Sequence, residues 1–202
     1  MATQASEPAA ENQRAQTING VFMHEDAFSE DECRLIRAVG ERFKLDGSLK
    51  EAGMIDSRGN DLTTNYRQSN IRFVKYSAET HWVFQRLFDL INPMNSAVYR
   101  FDLTGFEEGM QISEYPVGNG YGWHVDLGAR RTSRRKLSLT VQLSFPDEYE
   151  GGELEFMSPA ETAGTKIGTL CVFPSFAIHR VRPITRGIRW SMVSWVCGAP
   201  FR

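Results

Sequence analysis

The chain is 202 residues long, 41% hydrophobic and 24% charged, with a formal net charge of −2. That length suits one domain with one core, able to bury roughly 70% of its unfolded surface, and the near-neutral balance argues against a large polyanionic partner such as nucleic acid. Cys33, Cys171 and Cys197 are widely spaced and form no C-x-x-C pair, which excludes a disulfide framework or a structural zinc site and predicts reduced thiols.

Residues 1–17 carry Ala, Glu, Gln and Ser but no aromatic or branched aliphatic side chain, so they are expected to form a flexible tail ahead of a single domain over 18–202. No basic-then-apolar leader and no apolar run of membrane-spanning length is present; the expected compartment is the cytoplasm, with no membrane contact. Val21-Phe22 reads as a short strand. Ser29 is placed to cap a helix whose apolar face carries Cys33, Leu35, Ile36 and Val39, ended by Gly40 or by the segment 44–47. From 45 to 65 three glycines among polar residues predict a long loop, a lid over the substrate with Arg58, Asn60 and Asn65 as contacts.

Alternation over 70–76 predicts a strand with Ile71 and Phe73 on one face, and Trp82, Phe84, Leu87, Phe88 and Ile91 stripe a helix over 78–91. Beyond Tyr99 the texture changes. Short alternating segments recur at 99–104, 110–116, 122–127, 137–145, 153–157, 168–173, 177–182 and 188–197, punctuated by Gly, Pro and Asn, which predicts a sandwich or barrel. The basic run Arg130, Arg131, Arg134, Arg135 and Lys136 fits a solvated loop better than a binding surface.

Chemistry concentrates in two places. In Tyr121-Gly122-Trp123-His124-Val125-Asp126 the His and Asp are two apart, which on an extended strand turns both side chains to one face. Alone, such a pair is as well explained by a satisfied polar contact. Far along the chain His179 lies among apolar residues, followed by Pro183 and Gly187 and then by Arg189 in the next strand, so an antiparallel return would bring the Arg back toward the His. Two imidazoles and one carboxylate leave three open positions on an octahedral metal, the arrangement suited to non-haem Fe(II) and O₂. A neighbouring Arg offers a bidentate anchor for a carboxylate.

These elements resemble the prolyl 4-hydroxylase-like branch of the Fe(II)/2-oxoglutarate oxygenases, and in particular the bacterial PKHD-type hydroxylases. The resemblance covers about 99–198: Tyr115, then His124-x-Asp126, the strand opening at Leu137-Ser138-Leu139-Thr140, the hairpin Tyr149-Glu150-Gly151-Gly152-Glu153-Leu154, and His179 followed ten residues later by Arg189. It implies a mainly β fold with flanking helices, the double-stranded β-helix or jelly roll. It also implies Fe(II) held by His124, Asp126 and His179, 2-oxoglutarate anchored through Arg189 and Tyr115, O₂ as oxidant, and ascorbate as an accessory reductant.

The implied reaction hydroxylates an unactivated C–H bond of a small molecule, an amino acid or a peptidyl residue, releasing succinate and CO₂. Related halogenases carry Gly or Ala at the carboxylate position, so Asp126 favours hydroxylation; desaturation and ring formation share the same triad. Gln142 stands on the strand that in eukaryotic prolyl hydroxylases offers an aromatic to the pocket, which weakens an assignment to peptidyl proline. Arg135 and Trp195 match substrate-side positions, Trp195 equally well as core packing; Tyr121 and Trp123 flank the first ligand as entrance lining or as packing wedges. Gly151 and Gly152 fit the positive φ of a tight hairpin. His24 and His81 fall outside the barrel. Two other readings remain: a catalytically silent metal-binding jelly roll, and a nucleic-acid demethylase of the same superfamily, whose cosubstrate Arg stands farther from the distal His.

Overall fold

The computed structural model describes residues 20–45, 50–51, 69–157 and 162–200. The expected tail over 1–17 and nearly all of the expected lid, including Arg58, Asn60 and Asn65, lie outside these residues.

In chain order the elements are β1 (Phe22–His24), α1 (Glu30–Leu45), β2 (Lys50–Glu51), β3 (Asn70–Val74), α2 (His81–Met94), β4 (Leu103–Gly105), β5 (Met110–Tyr115) and β6 (Tyr121–His124). There follow β7 (Arg135–Gln142), β8 (Tyr149–Gly151), β9 (Leu154–Phe156), β10 (Leu170–Pro174), β11 (His179–Val181), β12 (Ile184–Gly187) and β13 (Arg189–Gly198). Every strand pair is antiparallel. The major sheet runs β1-β10-β7-β13-β5-β3-β2 with β4 paired to β13, and opposite it stand a three-stranded sheet, β6-β11-β9, and a ribbon, β12-β8.

Side-chain alternation divides the major sheet into two faces. Leu137, Leu139 and Val141 of β7, Trp190, Met192 and Val196 of β13, and Met110 and Ile112 of β5 form the outer face, packed with α1 and α2 into one apolar cluster. The intervening residues turn inward, where Tyr115, Cys171 and Phe173 meet Leu154, Phe156 and Val181 of the minor sheet in a second cluster. The three layers are thus helices, major sheet and minor strands, the mainly β architecture expected.

The cap at Ser29 is reciprocal: the Glu32 N–H donates to Ser29 Oγ at 3.2 Å, and the Ser29 N–H donates to Glu32 Oε2 at 2.8 Å. Arg86 of α2 pairs with the same Glu32 at 2.8 Å, tying the two helices together. Ser29→Ala is expected to lower unfolding stability by about 1 kcal/mol, read as a lower urea midpoint with unchanged slope.

The structure corrects several local expectations. α1 ends at Leu45, within the expected stop at 44–47, and runs through the alternative stop Gly40, which lies so close to β5 that a Cβ there would meet Ile112 Cγ2 at 2.6 Å. Leu35 and Phe88 are exposed at 61% and 47%, because the buried faces follow Cys33 and Ile36 on α1, and Val83, Leu87 and Ile91 on α2. Where a strand was expected over 99–104, α2 passes instead into a π-helical turn at Asn95–Tyr99, closed by Arg100 at φ 55°, and β4 starts only at Leu103. β8 and β12 add strands beyond the eight expected segments. All three cysteines are free and buried, and burial pushes the Cys33 thiol up to about 12.

Candidate active site

β6 ends at His124, and Asp126 lies in the turn beyond it, so the pair does not share a strand face as the spacing predicted. The turn is held differently: the N–H groups of Asp126 and Leu127 both donate to the Ser175 carbonyl, at 2.9 and 2.8 Å. His179 opens β11 directly opposite His124 in the β6-β11 register. The candidate ligand atoms of His124, Asp126 and His179 all lie within 4.8 Å of one another. Asp126 Oδ1 is 3.7 Å from His124 Nε2, and Oδ2 is 3.8 Å from His179 Nε2.

Both imidazoles are oriented by main-chain carbonyls. His124 Nδ1 is 2.8 Å from the Gly122 oxygen and His179 Nδ1 is 2.9 Å from the Ala177 oxygen. A carbonyl only accepts, so each Nδ1 carries the proton and each Nε2 presents a lone pair to the centre. Outer partners of this kind set tautomer and ring angle at metal sites. Tyr121 stacks on His124 with centroids 3.4 Å apart, and Phe173 meets His179 edge-on at 4.7 Å. For Asp126, burial acts to raise the carboxyl pKa, but His179, His124 and the Ser138 hydroxyl outweigh it, leaving the group below the usual carboxylate range.

Beside the triad opens a cavity of about 150 Å³. Arg189 faces it from β13, paired in register with Tyr115 of β5; both are buried, and the guanidinium carbon lies 5.8 Å from the Tyr115 ring centre. Arg189 Nη1 is buried and has no hydrogen-bond partner among the described residues. Leaving a cationic donor unpaired in an apolar interior is costly, so an anion entering this cavity would complete the site. Gly152 permits the Arg to lie as it does: a Cβ there would meet Arg189 Cδ at 3.0 Å and Ile184 Cδ1 at 2.3 Å, at a φ of 69°. Gly151 and Gly152 do take the positive φ expected, but not in a hairpin: β8 pairs with β12 and β9 with β11, so Gly152 serves the turn between two sheets and the close approach of the Arg189 side chain.

Other expected residues are distributed unequally. Tyr121, Trp195 and Arg135 line the cavity. Arg135, however, is held by the protein itself: Nε and Nη2 both donate to Glu108 at 2.7 Å, Nη1 donates to the Asp126 carbonyl at 3.3 Å, and the group lies 3.6 Å from the Trp195 ring centre. Its donors brace the HxD turn rather than reach for substrate. Trp123 turns to the opposite face from His124, under the Arg180 guanidinium at 4.5 Å, and does not line the cavity. Gln142 is likewise absent from its lining; it donates to the Tyr149 hydroxyl at 2.7 Å in a separate recess of about 10 Å³ that it shares with Arg189. Two cations of the basic run are paired, Arg134 with Glu107 at 2.8 Å and Arg135 with Glu108 at 2.7 Å, and Arg135 and Lys136 are buried on β7 rather than in the solvated loop expected. His24 and His81 are exposed and do not line the cavity; His24, expected outside the barrel, lies on β1 at the edge of the major sheet, opposite Leu170.

Phe73, Gln111, Thr140, Ser191 and Val193, none expected from sequence, complete the walls. A signal for them exists. Ser138, Thr140 and Gln142 alternate with Leu137, Leu139 and Val141 on a strand buried on both faces, and polar residues on a buried inward face mark a polar cavity.

Residues 110–197 match the model of the 2OG-Fe(II) oxygenase superfamily. A PKHD-type hydroxylase of Synechococcus sp. (strain JA-2-3B'a(2-13)) is 42% identical over 91 residues, which is 42% of this chain and 41% of that protein. Another, from Acidovorax ebreus (strain TPSY), is 37% identical over 94 residues, 43% of this chain and 41% of that protein. The matched stretch thus spans less than half the length of these relatives. Among solved structures, a Pseudomonas putida prolyl-4-hydroxylase superposes with a TM-score of 0.72 at 22% identity, covering 90% of this chain and 94% of that one. A Trichoplax adhaerens prolyl hydroxylase, in complex with a hypoxia inducible factor oxygen degradation domain peptide fragment, gives 0.73 at 15% identity over 95% and 94%. These structural likenesses establish the fold.

Proposed function

We propose that this chain, a member of the 2OG-Fe(II) oxygenase superfamily, uses Fe(II) and 2-oxoglutarate to hydroxylate a C–H bond of a small-molecule, amino-acid or peptidyl substrate. The observation that carries the reading is the pairing of two incomplete sites in one cavity: three convergent ligand atoms, and a buried guanidinium whose Nη1 lacks a partner. A ferrous ion fits the first, since two neutral imidazoles and one carboxylate are the donor set of the facial triad. The distal carboxylate of 2-oxoglutarate fits the second.

When bound, these groups supply the oxidative chemistry, placing one atom of O₂ in succinate, formed with CO₂, and the other in the substrate. The chain's own residues do the rest. His124 and His179 offer fixed Nε2 lone pairs, Asp126 stays ionised in a buried setting, and Arg189 beside Tyr115 would hold the distal carboxylate of 2-oxoglutarate. Val193 and the buried Trp195 supply the apolar part of the cavity wall beside the triad. The carboxylate at Asp126 favours hydroxylation over halogen transfer. The demethylase reading is disfavoured by the ten-residue interval from His179 to Arg189, and two of the five cations of the basic run, Arg134 and Arg135, are paired with Glu107 and Glu108. A silent jelly roll would have no use for a buried, unpaired guanidinium facing its metal site.

The test needs no knowledge of the substrate. Under anaerobic conditions Fe(II) and 2-oxoglutarate together are expected to give a weak visible charge-transfer band that neither gives alone. With air and ascorbate as reductant, slow succinate release should follow. A folded, iron-loaded sample that shows no band would reject the oxygenase reading in favour of a metal-binding module.

A further inference from the structure

We propose that Ser138, backed by Ser175, is a positioning residue for the Asp126 carboxylate: its hydroxyl occupies one carboxylate oxygen, so that the group presents a single oxygen to a metal. This inference rests on the metal-site reading above and deepens it. Position alone does not select the ligand atom, because each oxygen faces a different imidazole at nearly the same distance, Oδ1 at 3.7 Å from His124 Nε2 and Oδ2 at 3.8 Å from His179 Nε2. What distinguishes them is the hydroxyl. Ser138 Oγ lies 2.7 Å from Oδ2, and Ser175 Oγ lies 3.0 Å from Ser138 Oγ.

The direction of these bonds follows from proton counting. An ionised carboxylate only accepts, so Ser138 donates its one proton to Oδ2; Ser175 must then donate to Ser138. The result is a polarised two-hydroxyl chain ending on a charge, with each bond strengthening the next. Neither serine is exposed to solvent at all, both standing at 0%, so water does not compete for the same oxygen.

The backing is structural as well as chemical. Ser175 accepts the Asp126 and Leu127 N–H groups on its carbonyl and donates its own N–H to the Lys136 carbonyl at 2.9 Å, which fixes it against β7 beside Ser138. In the same turn Ala177 orients His179. One short turn after β10 therefore aligns the carboxylate ligand and the distal imidazole, although the two are far apart in sequence. A carboxylate with both oxygens free could chelate through both and occupy a coordination position that the three-open-site arrangement must keep for cosubstrate and O₂.

The experiment compares wild type, Ser138→Ala, Ser138→Thr and Ser175→Ala, measuring anaerobic Co(II) and Fe(II) affinity by calorimetry, the charge-transfer band with 2-oxoglutarate, and melting of the metal-free protein. Ser138→Ala is expected to weaken metal binding about 10- to 100-fold, the usual effect of removing an outer partner, and to shift the band. Ser175→Ala should weaken binding less, since Ser138 still donates. Ser138→Thr, which restores a hydroxyl, should recover most of the affinity. Unchanged Co(II) and Fe(II) affinity in Ser138→Ala overturns the proposal, as does equal impairment of the Ala and Thr variants, which would assign the effect to packing. Should Ser138→Ala melt before metal is added, an unchanged affinity in folded Ser175→Ala overturns it instead. The metal titration separates this proposal from the oxygenase reading: a wild type that binds metal but gives no band would sink only the latter.

Discussion

His179→Ala is expected to lose tight Fe(II) binding while remaining folded, and with it all 2-oxoglutarate-dependent turnover. The residue supplies one of three ligand atoms, and among the described residues no further His, Cys, Asp or Glu belongs to the cluster to replace it. Loss of an outer partner weakens a metal site about 10- to 100-fold; loss of a ligand should exceed that. Truncation also removes contacts with Phe173 and Phe156. The variant should therefore melt at a lower temperature, yet both apolar clusters remain and the fold should persist. Iron content after anaerobic loading, measured beside circular dichroism, decides the matter, with His24→Ala as a surface control. Wild-type iron stoichiometry in folded His179→Ala would remove this residue from the triad.

How far the site was legible in sequence depended on the kind of information each residue carries. The expected antiparallel return from His179 to Arg189 does not form, since β11 belongs to the minor sheet and β13 to the major sheet and the two residues line one cavity from different sheets; the close spacing of His124 and Asp126 survives without knowledge of the tertiary structure. Strand ends do not. Because β6 stops at His124, Asp126 is positioned by hydrogen bonds to Ser175, a partner that only the folded topology brings near. Trp123 follows the same logic, since a residue adjacent to an inward His on a strand must face outward, toward Arg180.

Arg135 and Gln142 show a second limit. Each has a residue type suited to recognising a substrate, but Glu108 and Tyr149, which satisfy them, come from separate segments of the chain. The outer limits of the helix faces were misjudged for a smaller reason: Leu35 and Phe88 lie one step around the helix from positions that are buried, and hydrophobicity alone does not say where the stripe ends. β8 and β12 are three and four residues long, too short for alternation to declare them.

Arg189→Ala should separate cosubstrate binding from metal binding. Arg189 touches none of the three ligands, so Fe(II) affinity is expected to stay near the wild-type value. The same substitution removes the buried cation whose Nη1 has no protein partner. Deleting one member of a buried, charge-assisted pair costs ~2–5 kcal/mol, a loss of about 30-fold or more in 2-oxoglutarate affinity, since 1.4 kcal/mol is about tenfold. Anaerobic titration of the iron-loaded variant with 2-oxoglutarate measures this through the charge-transfer band. Arg189→Lys sharpens the argument. It keeps the positive charge but replaces the planar fork with a single ammonium, so affinity should fall between wild type and Ala if bidentate geometry contributes beyond charge. An Ala variant that binds 2-oxoglutarate as tightly as wild type would require the carboxylate to pair with another cation. The described lining leaves little choice: Arg135, the other cation facing the cavity, is committed to Glu108 and the Asp126 carbonyl, and recruiting it would disturb the turn that carries the carboxylate ligand.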